Sequence, residues 1–190
     1  MKEKLSFTPL TPEHWDDFED LFGKRGACGG CWCMYWRLKR SEFNQKKGSG
    51  TRKLMHHLVN KGLRQPGIIA YHGKMAVGWC AVAPREEYLV LNNSKILSPV
   101  DTQPVWSIVC FFIRKEYRKQ GVSIALIRAA VDFVRQHDGT IVEGYPVQPK
   151  KDIMPAVFAY TGLASAFKQA GFKEVARRSE TRPIMRYIIN

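Results

Sequence analysis

The stretch 106–135 constrains the fold more than any other part of the chain. Trp106–Ile113 reads WSIVCFFI and is apolar at every position but Ser107. A strand that is apolar on both faces must be covered on both faces. From Val122 the spacing changes to that of a helix. Val122, Ala125, Leu126, Ala129, Ala130, Phe133 and Val134 share one face, and Ile124, Ile127 and Val131 widen the stripe beyond that of a surface helix. Such a helix lies against a sheet. Asp138-Gly139 ends it, and Thr140–Val147 reads as a second strand. Strand, helix and strand in this order require a sheet with helices on its faces.

The rest of the chain is read around this unit. Thr11-Pro12-Glu13-His14 predicts a helix start, and the helix Pro12–Phe22 ends at Gly23. A segment rich in Gly, Cys and aromatic residues follows, then a basic loop, KRSEFNQKKGSG, and a helix over Thr51–Lys61. Gly67–Tyr71 and Ala76–Ala83, joined by His72-Gly73-Lys74, read as a hairpin. Pro84–Pro104 reads as a polar connection with a short strand, Tyr88–Leu91. After Val147 a Pro/Lys-rich loop runs to Pro155. Leu163–Ala170 reads as a helix stopped by Gly171, and Phe172–Arg178 and Ile184–Ile189 as a closing antiparallel pair. No repeat or linker divides the 190 residues, so one domain over 1–190 is expected.

Thirty Lys and Arg stand against 17 Asp and Glu, a formal net charge of +13. A polyanionic partner fits this charge: nucleic acid, an anionic membrane surface, a phosphorylated substrate or a nucleotide cofactor. No apolar run is long enough to span a membrane, and the N-terminus lacks a signal peptide's apolar core. Five cysteines in a chain of this length read as reduced thiols, and a cytoplasmic location is expected.

The chemistry is expected between the buried strand and the buried helix. Arg118-Lys119-Gln120-Gly121-Val122-Ser123 places a glycine at the turn, where a ligand can approach the backbone. The first helical turn has unpaired N–H groups, which together with the dipole bind anions. Arg114, Lys115, Arg118 and Lys119 add charge. The physical reading is a pyrophosphate cradle.

This segment resembles the acetyl-CoA signature of the GNAT acetyltransferases, an apolar strand followed by R/Q-x-x-G-x-G/A opening a helix. Ala170-Gly171-Phe172 resembles the family's helix-to-strand turn. The Cys31-Trp-Cys-Met-Tyr-Trp-Arg37 segment and the Glu143-Gly-Tyr-Pro146 strand resemble a subgroup of uncharacterised GNAT-like proteins. The resemblance implies an α/β (α+β) fold: a central, mixed, mostly antiparallel sheet of about seven strands, flanked by helices on both faces. It implies acetyl-CoA as cosubstrate, with the pantetheine arm on backbone groups of Phe111, Phe112 and Ile113 and the pyrophosphate on amides from Arg118, Lys119, Gln120, Gly121, Val122 and Ser123. It also implies that the strand 106–113 splays from Thr140–Val147, leaving a slot for the thioester, and that an N–H near Phe111 meets the oxyanion. Two departures stand out. Ser123 replaces the usual Gly or Ala. Phe167 stands where many members have a tyrosine that protonates the departing thiolate, and Tyr160 is two helical turns away.

The implied reaction is direct attack of an amine on the thioester, and the acceptor is a small-molecule or peptide amine. An alkyl amine with pKa ~10.4 is neutral about once in 2,500 molecules at pH 7, a deficit of about 4.6 kcal/mol. A base is therefore useful. Glu143, on the predicted strand among apolar neighbours, is the candidate. The alternative is a carboxylate that orients substrate or pairs with an arginine. Cys28, Cys31 and Cys33 form C-x-x-C-x-C, a pattern of zinc and redox sites. No second Cys/His pair follows at zinc-finger spacing, and no metal is expected. Trp32, Tyr35 and Trp36 share a face at helical spacing. They fit an aromatic wall for the acceptor and fit core packing equally well. Two other functions stay open. Lys39, Arg40, Lys46, Lys47, Arg52 and Lys53, with Arg177, Arg178, Arg182 and Arg186, would suit a nucleic-acid-associated protein. The missing tyrosine would suit a CoA-binding sensor without turnover.

Overall fold

The computed structural model describes residues 4–61, 64–150 and 159–190. Their elements run β1 (Leu5–Pro9), α1 (Trp15–Phe22), α2 (Arg40–Lys46), α3 (Ser49–Asn60), β2 (Gly67–His72), β3 (Met75–Pro84), α4 (Leu89–Asn92), β4 (Trp106–Ile113), α5 (Val122–Arg135), β5 (Ile141–Gly144), α6 (Ala164–Gln169), β6 (Lys173–Arg177) and β7 (Pro183–Ile188). The strands form one sheet in the order β1-β2-β3-β4-β5-β7-β6. Among the described residues every pairing is antiparallel except β4 with β5, which α5 connects as a crossover.

Two cores form on the two faces of the sheet. Leu126, Ile127, Ala130, Val131 and Val134 of α5 are buried with Ala70, Val77, Cys80, Val82 and Ile108 from the strands. The helix sits close because Gly78 has no side chain: a Cβ there would come within 3.3 Å of Leu126 and Val122. Each such aliphatic side chain, fully buried, contributes about 1.5–3 kcal/mol. The opposite face is aromatic. Phe18 of α1 meets Trp79 of β3 edge-on at 4.9 Å, and Trp15 and Phe22 stack near Trp32.

Two irregularities in β4 position the site. The first is a register shift opposite Ala81/Val82, where Ala81 pairs with Cys110 but Val82 pairs with Ile108. Val109 is the extra residue of a bulge. Before it Trp106 and Ile108 belong to the α5 core. After it Phe111 does, while Val109, Cys110 and Phe112 all turn to the aromatic face. The second is the short contact with β5: Trp106, Ser107 and Ile108 pair with Val142, Glu143 and Gly144, and then the strands part. Chain from 159 onward lies beside the opening. The N–H of Phe111 donates to the carbonyl of Tyr160 (2.6 Å), and that of Val147 to Gly162 (2.9 Å).

Several expectations need correction. The sequence 12–22 forms one tight turn, Pro12–His14, and then α1, and Thr11 supplies no side-chain cap. The basic loop after Lys39 contains α2, whose only buried residue is Phe43. Tyr88–Leu91 is not a strand; α4 is a single helical turn there. The edge strand β1 was not expected, and regular pairing in 140–147 stops at Gly144. Residues 151–158 of the predicted Pro/Lys-rich loop lie outside the described residues.

Candidate active site

A cleft of about 950 Å³ opens between the end of β4, the start of α5 and the segments 27–47 and 159–169. Gly121 holds a left-handed conformation (φ 79°), which glycine adopts at little cost, and a Cβ there would meet no atom within 4 Å. The space above it is open for a ligand. No side chain caps α5, and its first internal bond is Ala125 N–H to Gly121 O. The N–H groups of the first turn therefore keep no partner within the helix.

Eight of the nine residues expected to hold the cofactor line this cleft: Phe111, Phe112, Ile113, Arg118, Lys119, Gly121, Val122 and Ser123. Gln120 does not. Its side-chain amide donates instead to Glu116 O (2.6 Å). The N–H of Phe111 itself is given to Tyr160 O (2.6 Å), so a strand N–H for the oxyanion would have to be a neighbour of it. Phe167 is fully buried against Phe111 and Phe172 and is absent from the cleft wall. Tyr160 does line the cleft, and burial pushes its phenol pKa above the ordinary value.

Glu143 is not at the cleft. It is fully buried, accepts from Arg186 Nε (2.7 Å), the Tyr145 hydroxyl (2.6 Å) and Arg85 Nη1 (3.2 Å), and sits beside Ser107 through Tyr145. Arg85 also donates to the carbonyls of Leu91 and Leu97, and Arg186 to Asp101. A carboxylate enclosed by two guanidinium groups and absent from the cleft wall is poorly placed to take a proton from substrate. The geometry favours the arginine-pairing alternative over the base.

The aromatic trio divides. Residues 31–37 are not helical; Trp32 and Cys33 have φ of 41° and 54°. Trp32 is buried in the aromatic core against Trp15 and Phe22 and is not part of the cleft wall. Tyr35 and Trp36 do line the cleft, with Phe43 and Lys47. So do Cys28, Cys31 and Cys33, joined by Cys110 from β4. Cys110 was not singled out from the sequence, and the bulge at Val109 is what turns it this way. Cys33 Sγ accepts from the Trp79 indole N–H (3.2 Å), and the neighbouring Cys110 thiol, with that indole, holds the Cys33 pKa below the ordinary value against the opposing effect of burial. Cys110 is correspondingly pushed up, while burial raises Cys31 to about 11. Among the described residues no three His, Cys, Asp or Glu side chains are placed to hold a metal ion.

The C-terminal arginines are largely committed within the fold. Arg186 is buried on Glu143 and Asp101, Arg182 donates to Thr161 and Tyr145 O, and Arg177 pairs with Glu174. No helix among the described residues is long and apolar enough to cross a membrane.

The sequence model of the acetyltransferase (GNAT) family matches residues 32–145, more than half of the chain. The chain belongs to this family. It is thus an acyltransferase of the GNAT type, and the seven-stranded mixed sheet with helices on both faces is the expected GNAT fold. Solved structures agree on the fold. A GNAT-family acetyltransferase from Streptococcus agalactiae superposes with a TM-score of 0.57 at 11% identity, covering 100% of this chain and 98% of that one. One from Streptococcus pneumoniae gives 0.56 at 11% identity over 98% and 100%. The PaiA N-acetyltransferase from Thermoplasma acidophilum, solved in complex with coenzyme A, gives 0.54 at 11% identity over 98% and 99%. No curated protein sequence matches the chain.

Proposed function

We propose that the protein transfers the acetyl group of acetyl-CoA to a primary amine of a small molecule or peptide. The observation that carries this reading is the uncapped first turn of α5 behind Gly121, open to a cleft that Tyr35, Trp36 and Phe43 also line. An anion site and aromatic side chains in one cleft suit a cosubstrate with a pyrophosphate and an acceptor that meets its far end. Phe111 to Ile113 would lie along the pantetheine arm, and Arg118, Lys119, Gly121, Val122 and Ser123 around the pyrophosphate. Coenzyme A bound to the Thermoplasma relative supports the same cosubstrate here.

Within this reading Glu143 is a structural carboxylate rather than the base. Direct attack of the amine on the thioester is the route within this reading.

Calorimetry with acetyl-CoA tests the site. The wild-type protein is expected to bind saturably. Gly121→Trp puts a ring into the ligand's space and forces a bulky residue to φ 79°, so binding is expected to be lost while the fold persists by circular dichroism. Failure of the folded wild-type protein to bind acetyl-CoA would reject the proposal.

A further inference from the structure

The cleft wall distinguishes between kinds of amine. Tyr35 stands edge-on to Trp36 at 5.5 Å and to Phe43 at 5.3 Å, so the three rings form a right-angled corner. A flat ring packs well in such a corner. The Tyr35 ring already carries a cation: the Arg40 guanidinium sits 5.5 Å from its centroid and donates to its hydroxyl (3.1 Å). Trp36 is nearly buried (5% exposed), yet its indole N–H has no partner among the described residues. A donor left unpaired in a cleft wall calls for an acceptor atom from a ligand. Among the described residues, the ionisable side chains of the wall are thiols, phenols and the cations of Lys47, Arg118 and Lys119, with no carboxylate or imidazole. The Lys47 amine lies over Gly29, where a Cβ would be 3.5 Å from it, and forms no ion pair with the described residues. We infer that the acceptor is a carboxylated aromatic amine, with its ring in the corner of Tyr35, Trp36 and Phe43 and its carboxylate on Lys47.

The charge of the wall decides against an alkyl amine. At neutral pH an alkyl amine is an ammonium ion, with a pKa of ~10.4. In this cleft it meets like charge, and no carboxylate or imidazole of the described wall takes its proton. An aryl amine shares its lone pair with the ring and is neutral at the same pH. It enters without that repulsion and is ready to attack. The carboxylate gives Lys47 a counter-charge and supplies oxygens of the kind the indole N–H lacks. The step balances without an added reactant. The amine nitrogen attacks the acetyl carbonyl carbon, a carbon–nitrogen bond forms, and the carbon–sulfur bond to CoA breaks. CoA leaves as the thiolate. Once bonded to that carbon, the aryl nitrogen is strongly acidic, and its proton passes to the thiolate directly or through water. The leaving group takes its proton from the substrate, so none is asked of Phe167.

This inference rests on the acetyltransferase reading. The intact protein is given acetyl-CoA with para-aminobenzoate, aniline, benzylamine or spermidine, each separately, and the acetylated product is measured by mass spectrometry. The expected order of kcat/KM is para-aminobenzoate, then aniline, with both alkyl amines at least about tenfold lower. With para-aminobenzoate the rate should stay flat from about pH 6.5 to about pH 8.5, since no acceptor proton has to be lost first. Lys47→Gln should lower the ratio of kcat/KM for para-aminobenzoate over aniline about tenfold, a comparison in which any effect on acetyl-CoA cancels. The wild-type order does not depend on that variant folding. Benzylamine or spermidine ahead of the aryl amines overturns the inference, as does an unchanged ratio in the folded variant or a rate that climbs about tenfold per pH unit. So does a protein that binds acetyl-CoA and acetylates neither aryl amine. Absence of acetyl-CoA binding would instead reject the acetyltransferase reading beneath it.

Discussion

At the scale of single residues, Glu143 shows how burial assigns a role. Its two oxygens satisfy Arg85, Arg186 and Tyr145, and Arg85 in turn holds the carbonyls of Leu91 and Leu97. Removing the charge leaves two guanidinium groups in a buried site with less to pair with. Glu143→Gln should therefore lower the urea-unfolding free energy by about 3 kcal/mol, with acetyl-CoA affinity unchanged. Unchanged stability joined to lost turnover would return Glu143 to the chemistry. The sequence suggested Glu143 as an ionisable group buried among apolar neighbours; it is buried, but against two arginines and a tyrosine. Its partners stand 58 and 43 residues away in the chain, and no local pattern reveals such pairing. Cys110 was hidden for a related reason. Strict alternation along β4 would send it to the α5 face, and the bulge turns it to the aromatic face and the cleft.

At the scale of elements, the legible parts were those with a dense apolar signal. β4 and α5 were readable end to end because nearly every residue is buried or half-buried. α2 was not, since Phe43 is its only buried residue and its helicity depends on its neighbours. The 31–37 segment has helical spacing but is bent by residues at positive φ, so its aromatic trio was split between core and cleft. The parting of β4 and β5 was expected from the family resemblance, but the chain beside it was not. Gly144 stands where the strands part, and a Cβ there would sit 2.1 Å from the buried Phe167 ring. Gly144→Ala should overpack this junction and cost about 1–3 kcal/mol, visible as a lower thermal midpoint. A wild-type midpoint would mean that Phe167 can move aside, and with it the wall formed by Gly162 and Phe111.

At the scale of the molecule, the charge of +13 and the cleft act together. Lys47, Arg118 and Lys119 are the charged residues lining the described part of the cleft, and all are positive. An anionic cosubstrate should be steered inward, so its association rate in stopped flow should fall steeply as salt rises, while dissociation changes less. A salt-insensitive association rate would show that the basic surface serves something else. The same cleft lies where the sheet divides. The β4–β5 pairing ends at Ile108, and the extra residue of the bulge is Val109. The strand therefore changes phase at the height where its partner leaves it. Residues 106–108 follow one alternation and join the two halves of the sheet; residues 110–113 follow the other and line the opening. One continuous strand is thus written in two reading frames, so a side chain in the lining frame can be exchanged without rotating any side chain in the frame that holds the molecule together.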